Sequence, residues 1–269
     1  VYFSRLTNTN TNTFYCTAIS KDNFSKKMME RFKLEKLNCN LIRTDGKNPP
    51  GLYSIEINKR GERSFSYWRD QSPTKYIFLG SKGKRLLNDI KNSDIFYYSG
   101  ISAGILDINQ KEQLIKVGAT ANICGFDFNF RHQLHHDKKK SQVLFKEINN
   151  HVDINFVSYD DVKQLFNTRN PNQIFDVLNK EDNLILLRYK NLIIFKKFDQ
   201  EIKSIKVPHG EVVDTTAAGD AFNGSFLALL NNNKNISIEE NILRSHKVTR
   251  EVIKHKGAII KKNQMPINI

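Results

Sequence analysis

The run Asp214-Thr215-Thr216-Ala217-Ala218-Gly219-Asp220-Ala221-Phe222-Asn223-Gly224 places an acid and two hydroxyl residues before three small residues, then a second acid at the head of an apolar segment. It reads as a strand end that opens through small residues into a helix with a carboxylate at its mouth. Small side chains at 217–219 let the main chain come close to an anion. The N–H groups of a helix start, aided by the helix dipole, favour negative charge there. A carboxylate beside a phosphate repels it unless it has a task, and for Asp220 that task is to take the proton from an attacking hydroxyl. The chemistry of the pattern is phosphoryl transfer, and the plain alternative is an N-capped helix after a turn.

Such a helix mouth needs a scaffold that delivers strand ends to it. From about Lys82 onward, helical and extended stretches alternate: Gly83 to Lys91, Ile95 to Ser99, Lys111 to Lys116, Ile123 to Asp127, Gln142 to Asn149, Ile154 to Ser158, Asp160 to Phe166, Leu184 to Leu187 and Ile193 to Phe198. Short apolar strands between helices predict an α/β fold with a parallel sheet covered on both faces. Ligands in such sheets collect at the carboxyl ends of strands, and Asp127, Ser158 and Asp214 are expected at such ends around one crevice. Two long helices, Ala218 to Leu230 and Ile238 to Lys254, close the chain, with Asn231 to Asn235 as polar turn material between them. Nearer the start, Gly51 to Asn58 alternates, Lys59-Arg60-Gly61-Glu62 turns, and Arg63 to Arg69 alternates again, which predicts a hairpin. The period of two puts Tyr53 with Ile55 on one strand, and Arg63, Phe65, Tyr67 and Arg69 together on the other. Tyrosine and arginine on one face suit a lid that receives a polar ligand.

The bulk properties narrow the function. At 269 residues the chain can bury a sizeable core. No apolar run approaches the roughly 18 residues of a membrane span, and Val1-Tyr2-Phe3-Ser4-Arg5 lacks the order of a signal peptide, so a soluble cytoplasmic protein without a membrane partner is expected. Cys16, Cys39 and Cys124 are scattered without metal-ligand spacing and read as buried free thiols. A net charge of +14 would suit nucleic acid. Here the charge is dispersed, no nucleic-acid module is recognisable, and His135-His136-Asp137-Lys138-Lys139-Lys140 reads as a solvated loop or helix start. The basicity instead suits attraction of small anions.

Asp214 to Gly224 resembles the second signature of ribokinase-like (PfkB-type) carbohydrate kinases. Five further islands in the family's order are similar: Gly51-Leu52-Tyr53, Gly61-Glu62-Arg63 to Tyr67-Trp68-Arg69, Ser99-Gly100-Ile101-Ser102, Asp127-Phe128-Asn129-Phe130-Arg131, and Lys256-Gly257-Ala258-Ile259-Ile260. Many members carry glycine where this chain has Ala217, and the double alanine resembles the branch acting on the sugar acid 2-dehydro-3-deoxygluconate (KDG). The resemblance implies a ribokinase-like fold over residues 1–269, with a mostly parallel central sheet, helices on both faces, and lid strands within about 50–70. It implies ATP-dependent phosphorylation with Mg2+, with the sugar acid and ATP as partners and pairing of two subunits through their lids.

The resemblance also assigns roles. Asp220 matches the catalytic base, and the amides of Ala217, Ala218 and Gly219 the anion cradle. Tyr53, Tyr67 and Arg69 match lid positions that hold the sugar acid, and Arg131 an arginine between substrate and phosphates. A guanidinium fork suits carboxylate or phosphate by paired hydrogen bonds. Asn129 fits the family's Asp-x-Asn-x-Arg pattern at the nucleotide side. Ser158-Tyr159-Asp160-Asp161 stands where relatives carry Asn-x-x-Glu, which makes Ser158 a nucleotide-site candidate and leaves Asp161 between a magnesium shell and a helix N-terminal charge. His246 matches an adenine-contacting position or is an ordinary surface histidine.

Four departures are visible. Val1 to Arg5 resembles the helix that follows the family's first strand and Gly-Gly-Asp turn, implying an incomplete N-terminus. The segment from Lys111 to Asp127 is about one turn short, Arg188-Tyr189-Lys190-Asn191 lacks a glycine expected near ATP, and Ser20 stands where glycine is frequent. The rivals are another sugar kinase of this fold, a non-catalytic remnant, and a nucleic-acid-binding protein.

Overall fold

The computed structural model describes residues 1–57, 63–178, 180, 182–197, 200–266 and 269. In chain order the elements are α1 (Tyr2–Leu6), β1 (Thr17–Ala18), α2 (Asn23–Leu34), β2 (Ile42–Arg43), β3 (Leu52–Ile57), β4 (Arg63–Trp68), α3 (Gly80–Asp89), β5 (Ile95–Ser99), α4 (Gly100–Ile105) and α5 (Ile108–Gly118). They continue with β6 (Ile123–Asp127), α6 (Lys138–Asn149), β7 (Ile154–Ser158), α7 (Tyr159–Phe166), α8 (Gln173–Val177), β8 (Leu184–Tyr189), β9 (Leu192–Lys197), β10 (Lys203–Lys206), α9 (Ala218–Asn232) and α10 (Ile238–Val252). The described chain divides into two compact units, one made of residues 1–11, 92–104 and 118–269, the other of 12–91 and 105–117.

The larger unit is built on a six-stranded sheet in the order β10-β9-β8-β7-β6-β5. Strands β5 to β8 run parallel, as the alternation of apolar strands and helices predicts. Period-two alternation then assigns the two faces. Phe156, Leu186 and Phe195 join Phe222, Phe226 and Leu227 of α9 and Ile242 of α10 in one core cluster. On the opposite face Tyr98 and Phe126 pack together, and Phe126 meets Phe145 of α6 edge to face at 5.6 Å. Helices therefore cover both faces, and the carboxyl ends of β6 and β7 deliver Asp127 and Ser158 to the same sheet edge. Helix α1 is tied to the chain's far end, where Tyr2 donates its hydroxyl to the Ala258 carbonyl at 2.9 Å and Arg5 donates to the Ile260 carbonyl at 2.9 Å.

In the smaller unit β3 and β4 form an antiparallel hairpin with Tyr53 opposite Tyr67 and Leu52 opposite Trp68. The expected turn at Lys59-Arg60-Gly61-Glu62, and with it the start of the Gly61-Glu62-Arg63 island, lies outside the described residues. Strands β1 and β2 pair in parallel. Buried Gln110 of α5 ties the unit together: its Oε1 accepts from the Phe78 amide, and its Nε2 donates to the Lys75 carbonyl at 3.0 Å.

Several expectations need correction. The strands around Leu184 and Ile193, read in the parallel series, do not run parallel to each other: β8 and β9 form an antiparallel hairpin closed by Lys190 and Asn191. Phe198, placed at that strand's end, lies outside the described residues. Asp214 is not at a strand end, because β10 stops at Lys206 and Pro208 follows, a residue that cannot donate to a ladder. The amides of Val213 and Asp214 instead both donate to the Ile253 carbonyl. Helices α5 and α6 start earlier than apolar periodicity indicated, since Asp107 and Asp137 accept from the amides of Gln110 and Lys140. Asn231 and Asn232 are helical, with Asn232 Nδ2 donating to the Leu6 carbonyl at 2.7 Å. His135 is not solvated; it is buried, stacks on Phe130 and bonds the Gly100 carbonyl. Only Cys124 of the three free thiols is buried, while Cys16 and Cys39 are half-buried.

Phe226 is fully buried between Phe156 and Phe222 in the layer that joins α9 to the sheet. Phe226→Ala is expected to lower the unfolding free energy by about 3–5 kcal/mol in urea titrations. A loss below about 1 kcal/mol would show that α9 is not anchored through this residue.

Candidate active site

The mouth of α9 is held by a backbone that its sequence makes costly. Ala217 has φ 60° and ψ 17°, the left-handed region that glycine occupies freely and alanine at a cost of roughly 1–2 kcal/mol. Asp214 fixes the approach, with Oδ1 accepting from the Thr216 amide at 2.8 Å and Oδ2 from the Gly257 amide at 2.9 Å. Gly257 itself has φ 89°. Two of the sequence islands, 214–224 and 256–260, are thus joined by one carboxylate. The Ala218 amide donates to the Thr215 carbonyl at 3.2 Å within this turn. Gly219 and Asp220 stand in the first helical turn, where amides have no carbonyl four residues earlier in the helix to bond.

Asp220 is solvent-exposed at this mouth. Its carboxyl is nonetheless raised above the usual carboxylate range, chiefly by desolvation, against the pull of the Arg188 and Arg131 guanidiniums. Around it the ends of β5 to β8 and the first turns of α9 and α7 assemble a charged cluster. Asp127, the last residue of β6, is 4% exposed, and its Oδ1 has no hydrogen-bond partner. Arg188 on β8 lies 3.7 Å from that oxygen through Nη2. Its Nη1 donates to Asn223 Oδ1 at 3.0 Å and reaches the Gly219 carbonyl at 3.4 Å. Asn223 Nδ2 donates in turn to the Tyr97 hydroxyl at 3.0 Å, and that hydroxyl donates to Asp127 Oδ2 at 3.4 Å. Asp127, Tyr97, Asn223 and Arg188 therefore close a ring of polar contacts. Tyr97 is 37% exposed as a residue, yet its hydroxyl is desolvated enough to hold its proton well above pH 10, with Asp127 and Asp220 adding to the effect.

Arg131 and Asp161 complete the cluster. Arg131 Nη1 donates to the Phe130 carbonyl at 2.8 Å and lies 3.7 Å from Asp161 Oδ1. Burial raises the Asp161 carboxyl, while Ser158, Arg131 and Arg188 oppose the shift. Asn129, two residues from Arg131, takes φ 33°, a left-handed conformation that asparagine tolerates. Ser158 caps α7, its Oγ accepting from the Asp161 amide at 3.2 Å. His246 on α10 is half-buried and donates from Nε2 to the Pro208 carbonyl at 3.0 Å. Contacts thus join Arg131, Asp161 and Ser158, and Arg188 with the start of α9, while Asp220 is linked to Arg188 and Arg131 through their charges.

The lid residues form a group of their own in the smaller unit. Tyr53 and Tyr67 face each other across the hairpin with ring centroids 6.2 Å apart, and the Arg69 guanidinium lies 4.2 Å over the Tyr67 ring. Gly51 lets this happen, because a Cβ there would stand 2.8 Å from the Arg69 Cβ.

Sequence reasoning did not select Arg188, Asn223 or Tyr97. Asn223 had a signal, since it lies one helical turn after Asp220 and so shares its face. Arg188 was noted only for its loop's missing glycine. That loop does contain a left-handed residue, Lys190 with φ 53°. Lysine carries there the strain that glycine would avoid.

Residues 1–265 match the pfkB family of carbohydrate kinases, and the chain belongs to that family. It is 32% identical over 256 residues to the 2-dehydro-3-deoxygluconokinase of Haemophilus influenzae, covering 92% of this chain and 81% of that protein. It is 29% identical over 267 residues to the Escherichia coli K12 protein of the same name, covering 94% of this chain and 84% of that one. Among solved structures, a fructokinase from Xylella fastidiosa with bound ATP has the same fold at a TM-score of 0.80, with 19% identity over 98% of this chain and 84% of that one. The mixed sheet with helices on both faces is therefore the ribokinase-like architecture. Among the described residues no helix is long and apolar enough to cross a membrane.

Burial, foremost, pushes the Asp127 carboxyl from 3.8 up to about 7; Arg188 opposes this, and Asp220 and Asp161 add to it. A raised carboxyl keeps its proton in the folded chain after the unfolded chain has lost it. The stability this confers is complete below about pH 4 and is lost as pH rises to about 7. Asp127→Asn abolishes the dependence, so the variant is expected to gain on the wild type by on the order of 2–4 kcal/mol between these pH values in denaturant titrations. A constant difference between the two proteins across that range would show that Asp127 ionises normally.

Proposed function

We propose that this chain transfers the γ-phosphoryl group of ATP to the 6-hydroxyl of KDG, yielding the 6-phosphate and ADP. The observation that carries this reading is Asp220, exposed in the first turn of a helix whose entry is bent through a left-handed alanine, within the electrostatic reach of Arg188 and Arg131. Relatives at 29–32% identity named 2-dehydro-3-deoxygluconokinase support the choice of acceptor.

In this reading the acceptor hydroxyl lies against Asp220. Its oxygen forms a bond to the γ-phosphorus as the bond from that phosphorus to the bridging oxygen breaks, with the electron pair leaving on ADP. The hydroxyl proton passes to the Asp220 carboxylate, whose raised affinity for protons suits a base. The first-turn amides of α9 and the helix dipole receive the phosphate oxygens. Arg131 supplies a fork for phosphate or substrate. Within the smaller unit, Arg69, whose guanidinium lies over the Tyr67 ring with Tyr53 across the hairpin, has the chemistry to bind a carboxylate. A neutral sugar gives no such reason to desolvate an arginine.

Ser158, as cap of α7, presents that helix's N-terminus toward nucleotide phosphate, Asn129 holds the turn leading to Arg131, and His246 lines the adenine end. Among the described residues no group of three potential ligands could hold a metal alone. Magnesium keeps water and phosphate oxygens and takes few carboxylates. Asp161 is the residue that would hold it, and the ion would neutralise charge on the transferring phosphates. The exposed Leu52 and Trp68 on the lid support pairing with a second copy. Three unpaired thiols fit a reducing cytoplasm.

Coupled ADP-release assays test this directly. Turnover with KDG is expected to exceed that with fructose or ribose, and Asp220→Asn is expected to lower kcat by about 1,000-fold while ATP affinity by calorimetry stays within a few-fold. Undiminished turnover in that variant would remove Asp220 from the mechanism.

A further inference from the structure

Arg188 faces the carboxylate of Asp127 on one side and the start of α9 on the other. Its side chain is 25% exposed at the carboxyl end of β8, against the start of α9. A Cβ added to Gly219 would meet Nη1 at 3.2 Å and Nη2 at 3.3 Å, so the guanidinium lies directly on the helix's first turn. A helix start already carries partial positive charge, and cations are favoured at the opposite end. The two positive features together define a place for an anion, not a stable pairing with each other.

The neighbours of Arg188 hold it without saturating it. A guanidinium has five N–H donors. Nη1 serves Asn223 at 3.0 Å and the Gly219 carbonyl at 3.4 Å, and Nη2 approaches Asp127 only at 3.7 Å, beyond hydrogen-bond length. Asp127 Oδ1, buried and aimed at Arg188, lacks a hydrogen-bond partner altogether. Asn223 cannot swing away, because its other end is committed to the Tyr97 hydroxyl. The ring of Asp127, Tyr97 and Asn223 thus fixes the direction of the guanidinium while leaving donors open. Arg188 also acts electrostatically on Tyr97, Asp127, Asp161 and Asp220 alike, which places its charge at the centre of the cluster.

We propose that Arg188 is a catalytic residue whose guanidinium binds non-bridging oxygens of the phosphoryl group in flight, with Asn223, Tyr97 and Asp127 as its positioning residues. This rests on the phosphoryl-transfer reading above. The bond to the acceptor oxygen forms and the bond to ADP breaks as already described; Arg188 neither gains nor loses a proton. Its charge meets negative charge spread over the equatorial oxygens, a contribution made within the chain. The fork matters as well as the charge, since two parallel N–H bonds match two phosphoryl oxygens.

The test begins with wild-type ADP release on KDG. An inactive wild type would refute the phosphoryl-transfer reading and this assignment with it; an active one tests Arg188 alone. Arg188→Ala is expected to lower kcat by about 100- to 1,000-fold with KM for the sugar acid changed less than about threefold. Added guanidinium chloride at millimolar concentration is expected to restore part of the loss, an effect that a purely structural residue would not show. Arg188→Lys, which retains the charge facing Asp127, serves if the alanine variant does not fold, and is expected to lose about tenfold in kcat. Tyr97→Phe, which removes one hydroxyl from the ring, is expected to lose about tenfold in kcat with unchanged ATP affinity. A folded Arg188→Ala protein with kcat within threefold of wild type, or folded Arg188→Lys with undiminished kcat where alanine fails to fold, overturns the assignment.

Discussion

Three carboxylates at one sheet edge and helix mouth impose the constraint around which the larger unit is arranged. Asp127, Asp161 and Asp220 each raise, or are raised by, their surroundings, and each is relieved by Arg188 and Arg131. Removing charge from water costs several kcal/mol per ion unless partners and hydrogen bonds compensate. Here the compensation is deliberately incomplete: Arg188 and Arg131 approach their carboxylates at 3.7 Å instead of closing short bidentate pairs. A fully satisfied cluster would be a structural brace. A loosely paired one leaves guanidinium N–H donors open, which a phosphoryl-transfer site requires.

The backbone around the cluster follows the same logic. The parallel strands bring Asp127, Ser158 and Arg188 to one edge because each carboxyl end of β6, β7 and β8 points the same way. Helix α9 is brought to that edge by Phe222, Phe226 and Leu227, which share the core of the sheet's face. Ala217 then bends the chain through a left-handed conformation immediately before the helix starts. Asp214, bonded to Thr216 and Gly257, keeps that bend in place from outside the helix. Strain of this kind persists only when neighbouring structure over-determines it.

Much of this was legible in the chain. The apolar runs at Ile95–Ser99, Ile123–Asp127 and Ile154–Ser158 are strands at their expected bounds, because a buried parallel strand reads as a continuous apolar segment between breaks. The small residues before Asp220 announced the helix mouth. The β8–β9 hairpin was not legible, since Lys190-Asn191 carries no glycine although Lys190 adopts the conformation glycine favours. Nor was the irregular course of residues 207–216, which depends on contacts with Ile253 and Gly257 far along the chain. The polar ring escaped notice for the same reason: Tyr97, Asp127, Arg188 and Asn223 come from four separate elements, and nothing in their local spacing marks them as neighbours.

The most direct measurement of the central claim is a double-mutant cycle on Asp127 and Arg188, read by urea unfolding at about pH 8, where Asp127 is ionised. If the guanidinium compensates the buried carboxylate, Arg188→Met costs stability in the wild-type background and much less beside Asp127→Asn, giving a coupling of about 1–3 kcal/mol. Additivity within about 0.5 kcal/mol would contradict the account, because the two charges would then be indifferent to each other.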